Sequence, residues 1–459
     1  MTLTAASARR RAWGLALAVI ISAGIAAAAA LSGLQWEGSA ALFYGAATIA
    51  LAGLALVNTD AGLAMLLVAI PFHGVAMLGP GAVPFTAAHL LLVATIIGWL
   101  ARVVREGRSA LPSPTLLMVA FAGPLIAALC TLPTSLAPPA TAFQSLRLLG
   151  LWLLAVLVAW RAEKEERARR ILTVLVVVAC GMAGVAALQS SGLDIGRVAT
   201  QRFTAIDTLV RPAAFFLDPN FLAGYLSAAA LAALCMALRA RRWTLGAWWS
   251  AAACACAAGV VITASRSGIV GLAAGLLVVI ITAPRKQRIV LLAVLCAVLL
   301  AIAPLVPSLV VDRIGNLLDV RSETSLSTRW LLARSSVDML GEYWLTGTGL
   351  GAHAIAYPPY RIAGALPRIL NPHQLPLAMW VEMGLPGATA LLLLLGGVLG
   401  AWRRVARKAY PGVSAAALAA VVALVVQSLF QYYLFFEYLW LFMALLAASS
   451  VHGEERAHV

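Results

Sequence analysis

About fourteen runs of roughly 17–25 apolar residues follow one another along this chain, and this pattern restricts the fold more than any other feature. A run of that length can cross a bilayer as a helix, because a helix satisfies its own backbone hydrogen bonds there. The composition agrees, since 62% of the residues are hydrophobic and 11% are charged, whereas soluble domains have about 25% charged residues. The sequence therefore predicts an all-α polytopic membrane protein with about 12–14 transmembrane helices.

The distribution of charge predicts how the helices are oriented. If the N-terminus is cytoplasmic, the cytoplasmic segments hold 22 of the 33 basic and 7 of the 18 acidic residues, a net charge of +15. The external side then carries no net charge. Short cytoplasmic loops of membrane proteins are enriched in lysine and arginine, so we expect both termini in the cytoplasm. The excess of basic residues is thus a topological signal and gives no indication of nucleic acid binding.

Two external loops are longer than the other connections and divide the chain into segments. They lie at about 190–218 and 311–372, and both contain enough aromatic and aliphatic residues to be ordered. Segment 324–340 has the apolar spacing of an amphipathic helix on the membrane surface. The predicted segments are N-terminal transmembrane helices at 1–200, helices with an external loop and turn at 201–310, a large helical periplasmic loop at 311–373, and C-terminal helices with a cytoplasmic tail at 374–459.

Arginine supplies every basic residue on the external side, and a few of these arginines occupy positions suited to binding an anion. Arg266 lies in a turn between two helices, Arg329 lies in the first turn of the predicted surface helix, and Arg211 lies in the first long loop. Guanidinium groups bind phosphate in a two-pronged geometry. His373, at the start of a predicted helix, is placed to act as a general base. We therefore predict a site for a phosphorylated ligand at the outer face.

Other polar residues of the external side have structural interpretations. We expect most remaining arginines of the second loop to pair with acids; these are Arg313, Arg321, Arg334, Arg361 and Arg368. Three histidines are expected to pack rather than react, namely His73, His89 and His353. The glycine-rich segment 345–352 follows no strand, so it is not a nucleotide-phosphate loop, and its glycines favour close backbone packing.

Six short motifs, taken together, resemble the O-antigen ligase / Wzy polymerase superfamily of bacterial membrane glycosyltransferases. They occur in the order of that family and cover roughly residues 200–390. The motifs are DPNFLAGYL at 218–226, SRSG at 265–268, TRW at 328–330, LTGTGLG at 345–351, NPHQ at 371–374 and EMGLPG at 382–387. One departure is His373-Gln374, where the family usually has His-Asn; a glutamine can still hydrogen-bond.

The resemblance implies a GT-C-like fold and a glycosyltransferase that needs no metal and no cofactor. The donor would be a glycan on undecaprenyl pyrophosphate at the periplasmic face of the bacterial inner membrane. Transfer to an acceptor hydroxyl would invert the anomeric carbon. Under this interpretation Arg211, Arg266 and Arg329 bind the pyrophosphate and His373 is the catalytic base. Arg147 and Glu382 are secondary candidates, with helix packing favoured for Glu382.

Two alternatives remain open at the level of sequence. A ligase transfers the glycan to lipid A–core, whereas a polymerase joins two lipid-linked glycans; a single dominant loop favours the ligase slightly. A transporter or flippase is a more distant alternative. Transporters carry ionisable groups near the membrane midplane, whereas here they are concentrated at one interface.

Overall fold

The computed structural model describes residues 39–72, 87–113, 115–193, 195, 211–302, 324–365, 371–407 and 412–455. In these ranges the chain forms helices and connecting turns, without β-strands, which confirms the predicted all-α class. The α-helices are α1 Ser39–Val57, α2 Thr59–Ala69, α3 Ala87–Glu106, α4 Leu116–Phe121, α5 Gly123–Cys130, α6 Pro138–Ala162, α7 Glu165–Ser190, α8 Pro219–Leu238, α9 Trp243–Ile262, α10 Arg266–Thr282, α11 Arg285–Ile302, α12 Thr324–Tyr343, α13 His353–Ala356, α14 Leu375–Arg407, α15 Val413–Gln427 and α16 Glu437–Glu455.

Seven helical stretches of the described residues are long and apolar enough to cross a membrane, and shorter apolar helices accompany them. They are Ala88–Ala110, Leu116–Thr134, Pro138–Ala162, Glu165–Ser190, Pro219–Leu238, Trp243–Ile262 and Leu375–Val405. The protein is therefore a polytopic helical membrane protein. The total of about 12–14 spans stays a prediction. The apolar run at 12–31, which predicts the first span, lies outside the described residues.

Helix α8 lies at the centre of the fold and carries the DPNFLAGYL segment at its N-terminal end. Of its membrane-crossing stretch, 78% is buried, by contacts with α7, α9, α10 and α15. Glycines bring α10 close to two of these neighbours. A Cβ atom at Gly275 would lie 2.2 Å from Leu231 Cδ1, and one at Gly271 would lie 2.4 Å from Gln427 Cγ. Such small residues let membrane helices approach closely, and this packing fixes where the N-terminus of α10 lies.

The second external loop is helical in its described part, as the sequence predicts. Helix α12 spans the predicted helix at 324–340 and continues to Tyr343. Its buried side includes Leu332 and Met339, which form a cluster with Tyr357 and with Val381 of α14. Trp330, on the predicted apolar face, is 60% exposed. Helix α12 thus packs on the membrane domain through one side and leaves an apolar side uncovered.

The glycine-rich segment 345–351 packs against a kink in α14. Gly384 interrupts that helix with a φ of 59°, and a Cβ atom there would lie 2.3 Å from the carbonyl oxygen of Leu345. Gly347 also has a positive φ, and a Cβ atom on it would lie 2.4 Å from the Glu382 carbonyl oxygen. Two motifs separated in sequence therefore meet backbone to backbone, which is the tight packing expected of the glycine-rich turn.

Candidate active site

Arg211 is held at the entrance to α8 by two side-chain hydrogen bonds. Its Nε donates to the carbonyl oxygen of Thr263 at 2.9 Å, and its Nη2 donates to Oδ1 of Asn220 at 3.1 Å. The first bond reaches the end of α9 and the second reaches the first turn of α8. Arg211 therefore bridges the two segments that precede α8 and α10.

Asp218 begins α8 and lies among the basic residues. Its side chain caps the helix by accepting from the backbone N–H of Asn220 at 2.6 Å. Pro219 follows at the first helical position, where a missing N–H costs nothing. An acidic N-cap is favoured because the positive end of the helix dipole faces it. The carboxylate is thereby fixed at a site where several positive groups converge.

Arg266 starts α10 directly after a tight turn. Ser265 is the N-cap and accepts from the backbone N–H of Gly268 at 3.2 Å. A Cβ atom at Gly268 would lie 2.6 Å from the Cβ of Ala223 in α8, so only glycine allows this approach. The SRSG motif thus places an exposed arginine at a helix N-terminus that is packed against α8.

His373 lies immediately before α14 in a left-handed backbone conformation, with a φ of 56°. The side-chain oxygen of Asn371 accepts from the His373 backbone N–H at 3.0 Å, which stabilises the turn. The next helix is anchored by a 2.9 Å bond from the Leu375 N–H to the carbonyl oxygen of Ser428. His373 is therefore held at the N-terminus of α14, close to the loop between α15 and α16.

These residues act electrostatically on one another around Asp218. Burial lowers the pKa of Arg211, as do the positive charges of Arg329 and Arg266, while Asp218 raises it. Burial also lowers the pKa of Arg329; Asp218 opposes this and Arg266 adds to it. We call Arg211, Arg266 and Arg329 the arginine cluster. The carboxylate of Asp218 acts on Arg211 and Arg329, and Arg266 acts on the same two arginines. The cluster therefore has a positive excess that an anionic ligand would neutralise.

The electrostatic setting of His373 suits a base. Burial lowers the pKa of His373, the positive charge of Arg329 lowers it further, and Asp218 opposes both effects. A lowered pKa keeps the imidazole neutral near pH 7, so that it can accept a proton. The structure thus brings together His373 and all three arginines that the sequence singled out, from four separate segments.

Backbone strain is concentrated in the same segments. Among the described residues, the non-glycine residues with positive φ are Ala214, Ala264 and His373. Ala214 lies three residues after Arg211, and Ala264 lies two residues before Arg266. Such conformations cost roughly 1–3 kcal/mol each and occur most often at functional sites. This strain is independent support for a site formed by these segments.

The two secondary candidates, Arg147 and Glu382, lie in a different polar group, around Tyr432. The carboxylate of Glu382 is buried and accepts from the hydroxyl of Tyr432 and from the N–H of Gly351, both at 3.2 Å. Arg147 lies over the ring of Phe435 at 4.5 Å and donates to Gln144 Oε1 at 2.9 Å. Glu382 thus connects α14 to the glycine-rich turn, as expected for a packing role.

The other external residues have the following positions. His353 is buried, with Nε2 3.2 Å from Ser336 Oγ and its ring stacked on Tyr357, as expected of a core histidine. His89 lies within electrostatic reach of Glu437. Arg334 and Arg361 form no ion pair with any acid of the described ranges. Asp312, Asp319 and Glu323 of the same loop lie outside those ranges, so the expected pairing stays a prediction. The remaining ones lie outside those ranges: His73, Arg313, Arg321 and Arg368.

Four residues that complete the site are not singled out by the sequence pattern: Asp218, Asn220, Ser265 and Tyr433. Asp218 and Asn220 belong to the DPNFLAGYL motif and Ser265 to the SRSG motif, whereas Tyr433 lies outside all six motifs. A usable signal was present at Asp218, since Asp-Pro before an apolar run is a helix N-cap pattern. The role of Tyr433 has no such local signal, because its partner, Asn220, is 213 residues away.

Membrane-length helices whose ends bring strained turns and three arginines together define the class of this chain as a polytopic helical membrane protein. Residues 251–392 match the family model described as O-antigen ligase (Wzy_C). This region of the chain is therefore similar to the O-antigen ligase/Wzy superfamily, and the resemblance predicted from the motifs is confirmed. The match includes Arg266, Arg329 and His373, and Arg211 precedes it. Comparison with curated proteins gives no match.

Proposed function

We propose that this protein transfers a glycan from undecaprenyl pyrophosphate to an acceptor hydroxyl at the periplasmic face of the bacterial inner membrane. The observation that carries the proposal is that the arginine cluster, His373 and Asp218 form one electrostatically linked group. The family supports glycan transfer of the ligase or polymerase type in general. The donor, the acceptor and the role of each residue are our proposal.

The transfer step follows from the chemistry of these groups. His373 takes the proton from the acceptor hydroxyl as its oxygen forms a bond to the anomeric carbon. The bond from that carbon to the pyrophosphate oxygen breaks, and its electron pair leaves with the pyrophosphate. The arginine cluster stabilises the negative charge that develops there. Attack opposite the leaving group inverts the anomeric carbon.

Ligation to lipid A–core is the preferred form of this activity, and polymerisation is the second candidate. The larger external loop supplies Arg329 from α12 and ends at His373, which fits a site built mainly by one loop. Arg211 comes from the first long loop and its charge acts on the same cluster. That contribution from a second loop favours a polymerase, in which two lipid-linked glycans must be bound.

An assay with purified protein tests the proposal. The donor is an undecaprenyl-pyrophosphate-linked oligosaccharide, offered with lipid A–core or with a second donor molecule as acceptor. A product of lipid A–core plus glycan establishes a ligase, and a lengthened lipid-linked glycan establishes a polymerase. His373→Ala should abolish turnover while leaving the folded fraction intact. Full turnover by His373→Ala refutes the role of His373 as the base. No transfer by the wild type to either acceptor refutes the proposed glycan transfer.

A further inference from the structure

The side-chain oxygen of Asn220 joins two parts of the candidate site. Oδ1 accepts from Arg211 Nη2 at 3.1 Å and from Ser265 Oγ at 2.7 Å, and the residue is 7% exposed. An amide oxygen offers two lone pairs, and these two donors occupy both. One buried atom therefore links Arg211 to the N-cap of the helix that begins with Arg266.

The backbone of Asn220 is fixed independently of its side chain. Its N–H donates to Asp218 Oδ1 at 2.6 Å, and its carbonyl oxygen accepts from the Tyr433 hydroxyl at 2.9 Å. Both bonds use main-chain atoms, so they persist if the side chain is shortened. The Oδ1 atom is consequently held in place by the N-terminus of α8 on one side and by the loop before α16 on the other.

This arrangement determines which part of Arg211 can reach a ligand. Nε is committed to Thr263 and one Nη2 hydrogen is committed to Asn220. These two bonds leave the Nη1 hydrogens and the second Nη2 hydrogen available for a ligand. Without the Asn220 bond, the guanidinium could rotate about its last side-chain torsions and lose this orientation, and a pre-oriented group binds more tightly.

We propose that Asn220 is a positioning residue that orients Arg211 towards the pyrophosphate and ties it to the turn that carries Arg266. The inference rests on the proposed function, because it assumes that the arginine cluster binds the donor pyrophosphate. Asn220 itself takes no part in proton transfer. Its effect reaches the ligand only through Arg211 and the Ser265 turn.

A double-mutant cycle between Asn220 and Arg211 tests the proposal. Asn220→Ala and Arg211→Ala are made singly and together in the full-length protein. The readouts are the KM of a synthetic undecaprenyl-pyrophosphate oligosaccharide and the Kd of inorganic pyrophosphate. We expect Asn220→Ala to raise both about 10- to 100-fold, as for loss of a charge-assisted hydrogen bond, with little change in kcat. In the Arg211→Ala background the same change should have only a small effect.

Ser227→Ala is the matched control for this cycle. Ser227 is also a buried polar residue of α8, and its hydroxyl bonds to the carbonyl oxygen of Gly268 in the same turn of α10. It has no bond to Arg211, so its effect on KM should be equal in both backgrounds. If Asn220→Ala does not fold, Asn220→Ser replaces it, because serine is tolerated at a helix start but too short to reach Arg211.

The possible outcomes separate this inference from the function on which it rests. A wild type that binds neither probe and transfers no glycan contradicts the proposed function. If the wild type binds pyrophosphate and turns over the donor, but the effects of Asn220→Ala and Arg211→Ala on KM and Kd are additive, the positioning role is overturned. The proposed function then stands. Non-additive effects on KM and Kd, with additive effects for the control, support it.

Discussion

The hydroxyl of Tyr433 donates a 2.9 Å hydrogen bond to the backbone carbonyl oxygen of Asn220, 213 residues earlier in the chain. Gly224, one turn further along α8, makes this approach possible, since a Cβ atom there would lie 2.6 Å from the Tyr433 hydroxyl oxygen. The bond ties the loop before α16 to the N-terminus of α8. It thereby holds two walls of the candidate site together.

Gly224→Ala should displace Tyr433 and destabilise the protein. The added methyl group must move a buried aromatic side chain or break its hydrogen bond, at a cost of about 1–3 kcal/mol. Thermal unfolding in detergent should show a lower midpoint. Gly184→Ala in α7 is the control, because nothing lies within 4 Å of its added Cβ atom. Equal midpoints for the two variants would contradict the packing role of Gly224.

The pH dependence of transfer should report the neighbours of His373. A base must be unprotonated, and its pKa is lowered by burial and by Arg329, so activity should be near its plateau at neutral pH and fall only in acid. Arg329→Gln removes a positive charge and should move the acid limb to higher pH. Asp218→Asn removes a negative charge and should move it to lower pH. Initial rates of each variant from pH 5 to pH 8, normalised to that variant's own plateau, measure both shifts. If the pH profiles of the two variants and the wild type coincide in acid, His373 is not the titrating base.

Arg329→Lys should weaken donor binding although the charge is retained. Lysine loses the fork that matches phosphate oxygens, so we expect the donor KM to rise roughly 10-fold or more. Arg334→Lys, an exposed position in the same helix α12, is the control and should leave the donor KM at its wild-type value. A donor KM for Arg329→Lys within experimental error of the control would remove Arg329 from the pyrophosphate site.

Glu382→Gln should lower stability rather than remove an acid–base step. Its two carboxylate oxygens accept from Gly351 and from Tyr432, and an amide offers only one acceptor oxygen. We expect a loss of about 1–3 kcal/mol, with transfer activity falling in proportion to the folded fraction. Combining Tyr432→Phe with Glu382→Gln should lower the stability by less than the sum of the two single losses, because both changes remove the same hydrogen bond. Loss of turnover in fully folded Glu382→Gln would instead indicate a direct chemical role.

Ala264→Gly should relieve strain before Arg266. Alanine has a φ of 51° there, a conformation that costs non-glycine residues about 1 kcal/mol or more. The glycine variant should therefore unfold at an unchanged or higher temperature. Ala251→Gly, at an exposed position within α9, should lower the unfolding temperature instead, because glycine weakens a helix interior. The opposite ranking of the two variants would show that the turn is not strained.

Local patterns were sufficient for the helices. Apolar runs at 40–57, 171–190, 218–238 and 244–263 predict helices, and α1, α7, α8 and α9 match them closely at most ends, because membrane helices must satisfy their own backbone hydrogen bonds. The turn predicted to hold Arg266 likewise contains Ser265, the N-cap of α10. Segment 324–340 was recognised from its spacing. The sequence pattern does not show which side of α12 is buried, because Leu332 and Met339 cluster with Val381 of α14, far along the chain.

The sequence by itself determined that this is a helical membrane protein with motifs that resemble the O-antigen ligase/Wzy superfamily, and it singled out Arg211, Arg266, Arg329 and His373 as candidates. Apolar run length and motif order are local properties and can be read along a chain. Only the tertiary structure decided that these four form one electrostatically linked group with Asp218, that Arg211 donates to Asn220, and that Arg147 and Glu382 lie around Tyr432 instead. Those relationships depend on how α8, α10, α12 and α14 pack, and packing joins atoms whose separation in sequence carries no signal.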